Sequence, residues 1–491
     1  MPASVLREVI ENEHSRAARD PDFLARATLR LLGPSPEDWV PAHAGVDHNV
    51  AVIGAGQNGV AFGFALRRAG IGRVTVVDRA PDPSQAGVWR HRARMHTLRT
   101  PKNLVGPELN LPALGFQAWY EGRHGQAAFA ALDRIPRLAW ADYLDWYREF
   151  LGVPVRYGTR LLRIEPATDG PVPHFRLHLE VDGRQRVETA RKVILANGVQ
   201  GNGKAFVPPV LDAAVAAGLA AHTSQEIDFA ALAGKTVAVL GAAASAFDAA
   251  ATALEAGARQ VHLFARRDHI ASTPVARVRG YPGFYDNYHQ LPDALRWAVA
   301  LRYRRAGAAP PADSVARALA FDNFHLHLGA SWRAAEVVDG RIRAQAGRQA
   351  PAFDFAIAGT GYATDPAARP ELADIAAHIL RWRDRFDAPP DQADAELAAS
   401  PYLDSALAYQ PKTPGTAPWL QDIHVYNPAG YASSGLPLGD IPSMRRDIPA
   451  VVARISRDLL NADLALHRQR IGQEVPPDFG PDFYRAAVRT G

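Results

Sequence analysis

Val50-Ala51-Val52-Ile53-Gly54-Ala55-Gly56-Gln57-Asn58-Gly59 reads as a buried strand, a glycine turn and the start of a helix. Each glycine has its own task. Gly54 permits the tight turn, Gly56 lets the backbone approach a pyrophosphate, and Gly59 lets the helix lie close on the strand. A helix opening there offers N–H groups with no intrahelical acceptor, so the turn suits an anion. A further β-branched run at 74–77 ends in Asp78, where a carboxylate meets a ribose hydroxyl. An acid at that place fits a ribose without a phosphate, so FAD is the expected dinucleotide. An ordinary α/β turn is the alternative reading.

A second turn follows the run at 236–240: Gly241-Ala242-Ala243-Ala244-Ser245-Ala246. Alanine replaces its second and third glycines, so a methyl group stands where a pyrophosphate would come closest. The next strand, 261–264, leads into Arg266-Arg267 instead of an acid. A guanidinium there pairs bidentately with a 2′-phosphate, which favours NADPH over NADH without excluding NADH. The alternative is two solvated arginines beside a degenerate turn. Two such turns in one chain imply electron transfer between two dinucleotides.

The expected fold class is α/β, with two Rossmann-like dinucleotide-binding domains, the NAD(P)H domain inserted into the FAD domain, and an N-terminal helical extension. The boundaries read as 1–48 for the extension, 49–205 for the first part of the FAD domain, 206–350 for the NAD(P)H domain, and 351–491 for the second part of the FAD domain with a C-terminal helix. The chain returns to the first domain through 353–358 and Gly359-Thr360-Gly361-Tyr362. Late in the chain, Gly435-Leu436-Pro437-Leu438-Gly439-Asp440 precedes a helix over 442–460, whose N-terminus can face a flavin; Asp440 then touches cofactor or caps the helix.

At 491 residues the chain has room for two or three cored domains, and 55 basic against 51 acidic residues leave a net charge of +4. No run of one sign is long enough to suggest a nucleic acid or membrane partner. The first 40 residues interleave charges and lack an apolar core, so a soluble, cytoplasmic protein is expected, with a homo-oligomer left open. The absence of cysteine removes a redox-active thiol pair, iron–sulfur ligation and a cysteinyl flavin from the chemistry of these residues. His325 and His327 alternate on a strand but lack a nearby carboxylate, so no metal is expected. Ser245 and Asp248 sit in a nucleotide turn and lack the Gly-x-Ser-x-Gly elbow of a hydrolase.

The order of these segments resembles the class B flavoprotein monooxygenases, which include flavin-containing, Baeyer–Villiger and N-hydroxylating enzymes. The matching pieces are the turn at 54–59, Gly87-Val88-Trp89, Leu98-Arg99-Thr100-Pro101-Lys102, Gly241 with Ser245 and Asp248, Arg266-Arg267, and Thr360-Gly361-Tyr362 with Pro366. One departure stands out: flavin-containing monooxygenases usually carry Leu-Arg-Thr-Asn, and here Asn103 lies only close by. Leu98-Arg99-Thr100-Pro101-Lys102, Gly106-Pro107-Glu108-Leu109, Pro112-Ala113-Leu114, Phe116-Gln117-Ala118-Trp119-Tyr120-Glu121 and Gly439-Asp440-Ile441-Pro442 resemble a bacterial set associated with FAD-dependent urate hydroxylases.

The resemblance implies FAD, NADPH or NADH, O2 and a small-molecule substrate: the nicotinamide reduces FAD, oxygen adds at flavin C4a, and the hydroperoxide transfers one oxygen. For urate, attack at C5 gives 5-hydroxyisourate. It implies cofactor contacts at Gly54, Gly56, Gln57, Gly59, Asp78, Trp89, Gly241, Ser245, Arg266, Arg267, Thr360, Gly361 and Asp440, and catalytic candidates Trp89, Lys102 and Asn103 beside the flavin. The aromatic loop at 280–288, with Phe284, Tyr285 and Asn287, either reaches the substrate or packs at the surface. An N-hydroxylase of an amine or amino acid, and a flavin-binding sensor without turnover, remain alternatives.

Overall fold

The computed structural model describes residues 20–201, 203–275, 281–346, 352–435 and 438–489. Along the chain it contains α1 (Pro21–Leu32), β1 (His48–Ile53), α2 (Gln57–Arg68), β2 (Val74–Val77), α3 (Arg137–Leu151), β3 (Thr159–Ala167), β4 (His174–Val181) and β5 (Arg184–Leu195). Next come β6 (Gly203–Ala205), β7 (Ala220–His222), β8 (Thr236–Leu240), α4 (Ala244–Glu255), β9 (Gln260–Phe264), α5 (Asp293–Ala306), α6 (Ala312–Leu319) and β10 (Phe324–His327). The remainder includes β11 (Phe355–Ala358), β12 (Tyr362–Thr364), β13 (Ile423–Val425) and α7 (Ile441–Ala462).

The first sheet runs β2-β1-β5-β4-β3, with β13 against the other side of β5. β5 is its pivot. Its first half joins the antiparallel meander with β4 and β3, and its last residues lie parallel to β1 and β13. Residues 50–52 of β1 are fully buried, as the apolar run requires of a parallel strand covered on both faces. α2 covers one of those faces and packs on α7, with Phe62 meeting Tyr426 edge-on at 5.0 Å. The second sheet is wholly parallel in the order β10-β9-β8-β11-β7, and every residue of β8 is buried.

The return to the first domain comes later than the sequence reading places it. β11 pairs with β8 through Val237↔Phe355 to Leu240↔Ala358 and with β7 on its other side, so 355–358 complete the second sheet. The apolar run fits because a strand at this position needs apolar faces on both sides. The crossing is made by β6 and β12, which pair antiparallel through Gly203↔Thr364, Lys204↔Ala363 and Ala205↔Tyr362. The outgoing and returning chains thus lie side by side as one two-stranded connection between the sheets.

In the N-terminal extension the described portion holds one helix, α1, followed by an irregular segment that leads into β1. Asp20 caps α1 by accepting from Asp22 N–H at 2.9 Å, Pro21 opens it, and Gly33 at φ +76° ends it. The first 19 residues lie outside the described portion. No described helix is long and apolar enough to cross a membrane.

Candidate functional site

The first glycine turn is built by close approach. Gly54 (φ +104°) donates to the Val77 carbonyl at 2.7 Å, and a Cβ on it would lie 2.5 Å from the Ala196 carbonyl oxygen. A Cβ on Gly59 would fall 1.7 Å from the Gly54 oxygen, so no side chain fits there. Gly56 is different: the nearest atom to its added Cβ is Gly87 Cα at 3.8 Å. A methyl group there would sit at ordinary van der Waals distance from the 87–89 loop, so the turn and that loop face each other as two walls of one cleft. That cleft is lined by Ala55, Gly56, Gly87, Trp89, Leu144 and Tyr147.

The N-terminus of α2 has no side-chain cap, whereas aspartates cap α1 and α7. Asn58 Oδ1 is buried with no hydrogen-bond partner among the described residues. The cleft beside Gly56, the uncapped N–H groups and the orphaned amide oxygen fit a bound FAD, which Gly54, Gly56, Gln57 and Asn58 would hold from the turn side. Asp78 Oδ2 accepts from Ala55 N–H at 2.7 Å and Oδ1 from Ala80 N–H at 2.8 Å. Its carboxylate thus fixes the turn to the end of β2, with lone pairs left over for a ribose.

Gln57 and Asn58 reach far along the chain. Their side-chain amides donate to the Gly439 carbonyl at 3.0 and 3.3 Å, and Trp140 Nε1 donates to Gln57 Oε1 at 3.2 Å. The N-termini of α2 and α7 consequently meet at one place. Asp440 caps α7, accepting from Ser443 N–H at 3.1 Å, and burial pushes its carboxyl up to about 7. Asp447, two turns on, is also buried and raised, although Arg446 binds it through two hydrogen bonds of 2.6 and 2.9 Å. Arg446 also donates to the Tyr285 carbonyl, and Tyr288 fills the space above Gly435, where a Cβ would lie 2.5 Å from its ring. The segment read from the sequence as an aromatic loop is instead a short helix, Pro282–Asn287, opened by Pro282, and it packs on the same end of α7. Leu436, Pro437 and Gly280 lie outside the described residues.

The catalytic candidates separate. Trp89 stands at the cleft, edge-on to Trp140 at 6.5 Å. Lys102 does not face it with a free ammonium: Nζ donates to the carbonyls of Phe129 (2.8 Å), Ala130 (3.1 Å) and Leu132 (2.6 Å), at the end of the helix Gln126–Ala131. All three of its protons are committed, so Lys102 closes a helix C-terminus. Asn103 is exposed on the same loop.

In the second turn Gly241 (φ +118°) donates to the Phe264 carbonyl at 3.0 Å, and its added Cβ would lie 2.2 Å from the Gly359 oxygen. Ala246, in the third glycine position, is tolerated because its neighbour is a glycine: a Cβ on Gly359 would meet Ala246 Cβ at 2.6 Å. The small residue has changed sides of the contact. The N-terminus of α4 is uncapped, with Ser245 exposed beside it. These features fit a second dinucleotide.

Arg266 and Arg267 part company. Arg267 donates to the carbonyls of Ala306 (3.0 Å) and Arg305 (2.9 Å), closing α5, while Arg266 is exposed and makes no hydrogen bond among the described residues. Thr360 and Gly361 lie at the exit of β11, not at the first turn. Thr360 Oγ1 donates to the Phe206 carbonyl, and the Gly361 carbonyl accepts from Phe206 N–H at 2.9 Å and meets His222 Nε2 at 3.0 Å. They brace the paired connection. His262, His325 and His327 cluster across β9 and β10, but no group able to hold a metal occurs among the described residues.

Residues 51–281 match the family described as pyridine nucleotide-disulphide oxidoreductase. The chain is 38% identical over 438 residues, 89% of its length and 91% of the relative's, to the FAD-dependent urate hydroxylase of Xanthomonas campestris pv. campestris. Among solved structures, ornithine hydroxylase from Pseudomonas aeruginosa aligns at TM-score 0.65 with 17% identity, over 84% of this chain and 99% of that one. The ornithine N-hydroxylase of Kutzneria sp. 744, in complex with reduced FAD, NADP+ and L-ornithine, aligns at 0.62 with 16% identity, over 84% and 99%. At those identities the structures establish the shared fold.

Proposed function

We propose, because this chain belongs to the class B flavoprotein monooxygenases and is an FAD-dependent, NAD(P)H-using enzyme, that the molecule it hydroxylates is urate. The observation that carries this reading is the 38% identity to a urate hydroxylase across nine-tenths of the chain. The reaction consumes urate, O2, NAD(P)H and a proton, and yields 5-hydroxyisourate, NAD(P)+ and water. Bound FAD supplies the route by which reducing equivalents activate oxygen.

The residues' own parts follow from their positions. The turn at 54–59 and Asp78 hold the flavin dinucleotide, Gly241 and the open end of α4 hold the nicotinamide dinucleotide, and Arg266 pairs with its 2′-phosphate. Trp89 walls the cleft, backed edge-on by Trp140, and keeps water from it. Urate is planar, electron-rich and anionic, so aromatic faces and fixed dipoles orient it. The short helix Pro282–Asn287, which carries Phe284 and Tyr285, lies against the N-terminal part of α7 and sets aromatic rings beside that helix's dipole.

The test is a panel of urate, ornithine and lysine assayed for stimulated NADPH oxidation, with products identified by mass spectrometry. Urate should stimulate oxidation and disappear. An amine recovered as its N-hydroxy product, with urate inert, overturns the assignment.

A further inference from the structure

Asp248 lies on α4, is only 2% exposed, and takes no part in the nucleotide turn that begins its helix. A buried carboxylate is costly unless it is paired. This one has three partners. Ser314 Oγ donates to Oδ1 at 2.6 Å, Arg317 Nη1 lies 3.4 Å from the same oxygen, and Arg99 Nη2 donates to Oδ2 at 3.2 Å. Ser314 and Arg317 belong to α6, which packs on α4. Arg99 does not: it stands on the short strand Thr97–Pro101, which pairs with Arg134–Pro136 just ahead of α3 and hence belongs to the cleft side of the molecule.

The neighbouring residues repeat this crossing. Arg317 donates to the Arg94 carbonyl at 3.1 Å and forms two bonds to Glu255 at 3.0 and 2.8 Å. Arg94 donates to the carbonyls of Thr223 (2.6 Å) and Gln225 (2.9 Å) and lies 5.1 Å from the Phe229 ring centre. His96 lies 3.6 Å from Glu255. Segment 94–99 thus grips the helices of the second sheet, while the covalent connection is only the β6–β12 pair. The clasp holds the second sheet on the side of α4 and α6, as α5 does elsewhere through Trp297 on Trp382 and Arg304 on Asp394.

We propose that Arg99 and Asp248 are positioning residues that lock the nicotinamide-binding sheet in register with the flavin cleft, so that the two dinucleotides meet at reacting distance. Neither residue lines the cleft beside the first glycine turn. The effect is on alignment, where a displacement of about 1 Å can cost up to a hundredfold in rate. Arg99 is the informative position because its removal leaves Asp248 bound to Ser314 and Arg317, so the fold is not burdened with an orphaned charge.

The experiment compares holoenzyme carrying Arg99→Ala, Arg99→Lys or Asp248→Asn with the parent. Three quantities are measured: anaerobic flavin reduction by NADPH in a stopped flow, NADP+ affinity by fluorescence titration, and amide hydrogen exchange in β6 and β12. Arg99→Ala should slow reduction about tenfold, leave NADP+ affinity within about twofold, and speed linker exchange while both sheet cores stay protected. Arg99→Lys should recover most of the rate. Asp248→Asn, if it folds, should repeat the result; if it does not, the two Arg99 variants decide. Reduction at the parental rate, or slow reduction without faster linker exchange or with matching loss of NADP+ affinity, overturns the proposal.

Discussion

Two adjacent arginines with different surroundings give the sharpest contrast at the scale of residues. Arg267 spends its guanidinium on the last carbonyls of α5, and Arg266 keeps its own in solvent past the end of β9. Arg266→Ala should weaken transition-state stabilisation with NADPH by about 1.5–3 kcal/mol and leave NADH nearly unchanged, as kcat/KM for the two cofactors will show. Arg267→Ala should lower the melting temperature without altering that ratio. Lys102 offers a parallel case. Lys102→Met should cost about 1–3 kcal/mol in chemical denaturation, because three carbonyls lose their donor, while the rate of flavin reduction stays near the parent's. Both distinctions were invisible in the sequence: a motif marks where a cation stands, and the helix ends that claim Lys102 and Arg267 lie 27 to 39 residues further on.

At the scale of elements, α7 carries a pH signature. Asp440 is raised from about 4 to about 7 by burial, so between those values the unfolded chain has released a proton that the folded protein retains. The stability held below pH 4 is therefore lost as pH rises through 7. Asp440→Asn keeps the cap and removes the titration, so its urea midpoint should fall less over that range than the parent's; parallel curves would show that Asp440 ionises normally. The strand-turn-helix units themselves were legible, since glycine spacing and apolar runs act locally and gave β1, β2, β8 and β9 nearly to the residue. The membership of 355–358 was not. An apolar run followed by Thr-Gly serves either sheet equally well, and only the register of Leu240 with Ala358 decides it. The exchange of a small residue between Ala246 and Gly359 was hidden for the same reason, because the partner is over a hundred positions away.

For the whole molecule, the two dinucleotide units are joined by a two-stranded connection, by an ionic seam at Asp248 and by the packing of α5 on Trp382 and Asp394, and α2 meets α7 at their N-termini. That architecture was legible in the order of its turns, and no cysteine in the sequence could serve the disulfide chemistry of the matched family description. The substrate is the claim that local geometry carries least, since the wall of the cleft is assembled from segments at 55–60, 83–90 and 141–148 that come together only in the folded chain. The most direct measurement supplies the enzyme with urate, NADPH and oxygen gas labelled in both atoms, and follows the first product by mass spectrometry. One labelled atom should enter 5-hydroxyisourate, the other should leave as water, and one NADPH should be consumed per urate. NADPH oxidation that yields only hydrogen peroxide, with urate recovered intact and unlabelled, would contradict the account.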